Sequence, residues 1–165
     1  MKLIIADASS LILLTRIDLM AIVLEEFQVI IPEHVYEECV NEETLKRFPD
    51  ALTIQQWNCD KKLEIKKADA RKYKFLYKVN QGEKEAITLA YKYKCNLIID
   101  DDSARSYAAL LKVEARGTLS VLLHAVKKKK ITKPEAKKLL EAMISERFYI
   151  STELYREYLE LLSKI

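Results

Sequence analysis

Glycine and proline are scarce in this 165-residue chain, two and three residues respectively, too few breakers for a turn-rich sandwich or a disordered tail. Abundant Leu, Ile, Ala, Lys and Glu favour helices instead. Cys39, Cys59 and Cys95 are odd in number and include no Cys-x-x-Cys pair, so neither a disulfide framework nor a zinc knuckle is indicated. Buried, reduced thiols are expected. No apolar run approaches the roughly 18 residues that span a bilayer; the longest resemble Leu11 to Leu14. The amino terminus reads as a strand entering a polar turn rather than as a signal peptide, so a cytoplasmic protein away from membranes is the expectation. A dominant charge is also missing. The 28 basic and 25 acidic residues leave +3, too even to mark a nucleic-acid binder by itself. The one basic run, Lys127 to Lys130, ends an apolar helix, where it complements the helix dipole or contacts phosphate.

Half of the residues are hydrophobic, enough for a real core, and the length suits a single domain over residues 1–165. Short apolar stretches read as strands at Lys2–Ala6, Val29–Ile31, Leu63–Lys66, Asn96–Asp100 and Val113–Arg116. Helical segments alternate with them: Leu11–Glu26 with a break near Asp18, a helix opened by Pro32, Glu83–Lys94, Ser103–Leu111 and Thr118–Val126. Two more follow, Glu135–Met143 behind a Thr132/Glu135 capping box, and Thr152–Leu162. Pro49 is expected to end the region begun at Pro32, Ala51–Trp57 fits helix or strand, and Asp69–Tyr77 looks helical. Strands this apolar, separated by helices, predict a three-layer α/β/α fold with a central parallel sheet covered on both faces.

Acids punctuate the strand ends. Asp7 follows Leu3-Ile4-Ile5-Ala6, and Asp100, Asp101 and Asp102 follow Leu97-Ile98-Ile99. In an open α/β sheet, groups just past the carboxyl ends of strands converge on one crevice, where ligands bind. Glu83 opens the helix feeding the fourth strand, and Glu38 lies two turns into the helix after the second. Each acid has a plainer reading as well: Asp7 and Asp102 as helix caps, Glu83 as a first-turn acid favoured by the dipole, Glu38 as an exposed helical residue. His34 and His124 have no ligand partners at useful spacing.

The segments Asp7-Ala-Ser9-Ser10-Leu11-Ile12, Ile31-Pro32-Glu33-His34-Val35-Tyr36-Glu37-Glu38, Gly82-Glu83-Lys84-Glu85-Ala86-Ile87 and Leu97-Ile98-Ile99-Asp100-Asp101 with Arg105 resemble, together, the motifs of the PIN-domain family. That family of metal-dependent ribonucleases includes the VapC-like toxins of toxin-antitoxin modules, and the Gly-Glu start at residue 82 is similar to one subgroup. The resemblance implies catalytic roles for Asp7, Glu38, Glu83 and Asp101, metal ligation by Asp7, Glu83, Asp100 and Asp101, and support from Ser9 and Thr118. Arg105 would contact phosphate. It implies RNA as substrate, Mg²⁺ or Mn²⁺ as cofactor, an antitoxin protein as partner, and a homodimer. Many family members carry another Asp or Asn after the last strand, where this chain has Gly117-Thr118.

Physical chemistry supports the cation. Two carboxylates about 5 Å apart at an effective dielectric near 20 disfavour each other by roughly 3 kcal/mol. A cluster survives by protonation, by a nearby base, or by a divalent ion, and hard oxygen donors select Mg²⁺ or Mn²⁺ over zinc. The expected activity is hydrolysis of RNA phosphodiesters. A catalytically silent PIN-like binding or scaffolding module is the alternative, and aspartyl phosphatase chemistry is disfavoured because Ser9 replaces the second acid of an Asp-x-Asp pair.

Overall fold

The computed structural model describes residues 1–74 and 78–165. Strands Lys2–Ala6 (β1), Phe27–Pro32 (β2), Leu63–Lys66 (β3), Asn96–Ile98 (β4) and Ala115–Arg116 (β5) form one sheet in the order β3-β2-β1-β4-β5. Every pairing is parallel. The chain winds outward from β1 through β2 to β3, then returns to the other side of β1 with β4 and β5. The winding direction therefore reverses between β1 and β4, the switch point at which such sheets open a crevice.

Successive strand residues feed opposite faces, which is why the strands read as unbroken apolar runs. Ile4, Ala6, Val29, Ile31, Leu63 and Ile98 join one core cluster, while Ile5, Ile30, Leu97 and Ile99 join another. Helices Ala8–Arg16 (α1), Met20–Glu26 (α2), Glu33–Cys39 (α3), Glu42–Arg47 (α4) and Pro49–Cys59 (α5) follow β1 and β2. Gln81–Tyr93 (α6) and Asp102–Leu110 (α7) flank β4, and Thr118–Lys127 (α8), Lys133–Ser145 (α9) and Thr152–Ser163 (α10) complete the chain. Buried side chains of α6 and α7 cover one face of the sheet; those of α1, α2, α5, α8, α9 and α10 cover the other. This is the three-layer α/β/α fold expected, and no helix among the described residues is long and apolar enough to cross a membrane.

Several local expectations change. Pro49 opens α5 instead of ending the preceding region: its fixed φ and missing N–H suit the first helical turn, and Ala51–Trp57 is helix within it. Asp69 caps only a single 3₁₀ turn, Ala70–Lys72, in place of a helix over 69–77, and residues 75–77 of that expectation lie outside the described residues. Cys39 is buried and Cys95 partly so, but Cys59 is exposed because it is the last residue of α5, beyond the buried Ala51 and Ile54. The break near Asp18 is present as a left-handed residue with φ 58°. Five more residues past helix ends, Lys61, Lys94, Lys112, Lys129 and Arg147, share this conformation, with φ between 51° and 67°. Glycine, the usual occupant, stands at none of them.

Candidate active site

Both central strands deliver an acid at their carboxyl ends. The Asp7 amide donates to the Ile98 carbonyl at 3.2 Å, so the β1/β4 ladder continues to the point where Asp7 and Asp100 emerge. Asp7 is only 4% exposed and caps α1, its Oδ1 accepting from the Ser10 amide at 3.0 Å. The Ser10 hydroxyl points the other way and donates to Asp100 Oδ2 at 3.4 Å. One serine thus ties two acids together. On the far side of Asp100, the Ile99 amide donates to the Arg116 carbonyl at 2.9 Å and holds β5 alongside. That registration places the Thr118 amide and hydroxyl 2.8 and 3.2 Å from Asp100 Oδ1.

The remaining acids come from helix ends. Asp101 caps α7, accepting from the Ala104 amide at 2.8 Å, and its side chain is exposed. Glu83 closes a capping box with Asn80: its Oε2 accepts from the Asn80 amide at 3.0 Å, and its own amide donates to Asn80 Oδ1 at 2.9 Å. Glu38, in the last turns of α3, is exposed and lies 3.2 Å from His34 Nε2. Its Oε1 approaches the backbone at Gly82, in the first turn of α6.

Electrostatics bind these residues into one group. Burial pushes Asp7 up to about 7; the Ser10 bonds oppose this, and the neighbouring Asp100 and Glu83 charges add to it. Asp100 is also raised by burial, against the lowering effects of the Thr118 donors, Arg105 and Ser10. Glu83 is raised by burial, against its Asn80 hydrogen bond, and further by Asp101 and Glu38. Each acid therefore lies within reach of another acid's charge: Asp7 feels Asp100 and Glu83, and Glu83 feels Asp101 and Glu38.

Of the residues singled out from sequence, Asp7, Glu38, Glu83, Asp100 and Asp101 come together, and Thr118 lies on Asp100. Ser9 does not join them. Its side chain is exposed, and the hydroxyl that reaches the acids belongs to Ser10. Capping geometry held the clue, because an N-cap aspartate takes the amide three residues on and so draws residue 10 over the strand ends. Asp100 is the deeper member of its pair, half-buried and held by Ser10 and Thr118, whereas Asp101 is held only as a cap. Arg105 pairs with Asp102 and lends positive charge to Asp100. His34 and His124 are paired with Glu38 and Glu26.

The donor set suits a hard divalent cation. Asp7 carries a burial penalty that a bound cation would offset, and every donor is oxygen. Among the described residues, no group of three or more His, Cys, Asp or Glu side chains is arranged so that it could hold a metal ion as the side chains stand.

Comparison with known proteins agrees with the fold. A family model described as a PIN domain matches residues 3–164, nearly the whole chain. Among solved structures, a PilT N-terminus domain protein from the hyperthermophilic archaeon Sulfolobus solfataricus P2 is similar, with a TM-score of 0.54 and 18% identity. The match covers 75% of this chain and 93% of that one, and at this identity it speaks for the fold alone. No curated protein matches. PIN domains are typically nucleases, and with a family match over residues 3–164 this chain belongs to the PIN-domain family.

Proposed function

We propose that this protein is a Mg²⁺- or Mn²⁺-dependent endoribonuclease and acts as the toxin of a toxin-antitoxin module. The observation that supports the reading is the pair Asp7 and Asp100, tied through Ser10 at the carboxyl ends of β1 and β4, with Asp7 buried, raised to about 7 and within reach of the Glu83 charge. Asp7, Asp100, Glu83 and Asp101 would hold the cation, which would supply Lewis acidity for hydrolysis of the phosphodiester.

The protein's own groups fix the geometry. Ser10 and Thr118 hold Asp100 in one rotamer, so its carboxylate needs no reorganisation when substrate arrives. The Asn80 capping box does the same for Glu83. Glu38, exposed and 3.2 Å from His34 Nε2, would accept a hydrogen bond from an attacking water. Arg105, part-exposed, paired with Asp102 and close enough to act on Asp100, would supply positive charge for a phosphate. Acids grouped in this way also complement a basic side chain, which supports an antitoxin as the inhibitor.

Purified protein incubated with RNA tests the reading. Cleavage should require Mg²⁺ or Mn²⁺, stop with chelator, and vanish in Asp7→Asn. Cleavage that survives both chelation and the substitution refutes it.

A further inference from the structure

The chain has two glycines, and both stand against a carboxylate of the acid group. We propose that they are positioning residues: Gly117 keeps open the space in which Asp100 is held, and Gly82 the space that seats Glu38. This deepens the metal-site reading above and rests on it for its consequence, though the steric claim stands on its own.

Backbone conformation does not account for either glycine. Neither has positive φ; Gly117 is extended, at φ −79° and ψ 168°, and Gly82 is the second residue of α6. Any residue adopts the first conformation, and alanine is a better helix former in the second. Meanwhile six helix ends that would favour glycine use Asp, Lys or Arg. The chain thus lacks glycine where conformation calls for it and has it where space does.

That space is defined by named atoms. A Cβ at residue 117 would lie 2.8 Å from Asp100 Oδ1 and 3.4 Å from Arg105 Nη1. Asp100 Oδ1 is the oxygen that accepts both the Thr118 amide and the Thr118 hydroxyl, so it cannot yield without losing those bonds. At residue 82 a Cβ would lie 3.2 Å from Glu38 Oε1 and 3.3 Å from Val35 Cγ2. Glu38 is longer and exposed, and it can move aside at the expense of its His34 contact. The consequences therefore differ in size, with Gly117 the more demanding position. After the last strand this chain places a residue without a side chain and then two donors, the Thr118 amide and hydroxyl, that aim Asp100.

Crystal structures of metal-free Gly117→Ala and Gly82→Ala test the steric claim. Gly117→Ala should carry Asp100 Oδ1 out of hydrogen-bond range of the Thr118 amide, and Gly82→Ala should shift Glu38 while leaving Asp100 in place. An unmoved carboxylate overturns the proposal at that position, and Gly82→Ala decides alone if Gly117→Ala does not fold. Calorimetric Mn²⁺ titration tests the consequence. Gly117→Ala should weaken binding about 10- to 100-fold, the usual scale for disturbing a group that orients a ligand. Combined with Asp100→Asn it should add less than about twofold, because both changes act through one carboxylate. Factors that multiply would show that Gly117 acts on the structure at large. Wild-type protein that binds no Mn²⁺ would sink the metal reading, and the crystals would still decide the positioning claim.

Discussion

Replacing Asp7 by Asn should make the metal-free protein more stable while abolishing activity. The Asp7 carboxyl is raised from its usual 3.8 to about 7 by burial. Unfolded, it ionises near pH 4; folded, it holds its proton to near pH 7. Between those values the folded state binds a proton that the unfolded state has lost, so stability falls as pH rises and the deficit is complete above pH 7. At about 1.4 kcal/mol per tenfold change in proton affinity, the deficit is roughly 4 kcal/mol at pH 8 and about 1 kcal/mol at pH 4.5. Asn removes the ionisation and keeps an oxygen for the Ser10 amide, though its NH₂ needs a partner at about 1 kcal/mol. The net gain is about 3 kcal/mol at pH 8, a rise in Tm of roughly 6–12 °C, and near zero at pH 4.5. Urea unfolding in chelator at both pH values measures it. Saturating Mn²⁺ should reverse the order at pH 8 by stabilising only the wild type. A variant no more stable than wild type at pH 8, or a gain independent of pH, would refute the claim that Asp7 is ionised there at a cost.

Three further outcomes follow from geometry away from the acids. Lys112→Gly and Lys129→Gly, at left-handed positions just past α7 and α8, should each add about 1 kcal/mol, seen as a higher urea midpoint with an unchanged m-value. Arg16→Ala should cost about 2 kcal/mol in the same assay, since it leaves the buried Asp50 carboxylate without its 3.0 Å partner and also removes a cation–π contact with Phe48. Tyr158→Phe should be neutral or stabilising by up to about 1 kcal/mol, because the buried Tyr158 hydroxyl has no hydrogen-bond partner among the described residues.

Much of the fold was legible in the sequence because burial on both faces leaves strands continuously apolar, as at Ile4-Ile5-Ala6 and Leu97-Ile98-Ile99. The acids were legible for a related reason, since charge directly after such a run marks a strand's exit into a crevice. Strand order was not legible: nothing in the local pattern of Asn96–Ile98 says that it pairs with β1 rather than β3. Ser9 was preferred to Ser10 because adjacent hydroxyls differ only in helical phase, and phase depends on where α1 starts; Asp7 as cap sets that start. Pro49 was misplaced because a proline that ends one segment and one that opens the next look alike until its neighbours' conformation is known. Glycine at 117 looked like a missing acid. Its close approach to Asp100 is a contact across 17 residues of chain, invisible to any local pattern.

An anomalous-scattering map from crystals soaked in Mn²⁺ tests the central claim most directly. A peak should appear at the carboxyl ends of β1 and β4, with oxygens of Asp7 and Asp100 about 2.1 Å away or one water removed, and Glu83 and Asp101 on its flanks. No peak there, or ordered Mn²⁺ only elsewhere on the molecule, would contradict a shared cation among these acids.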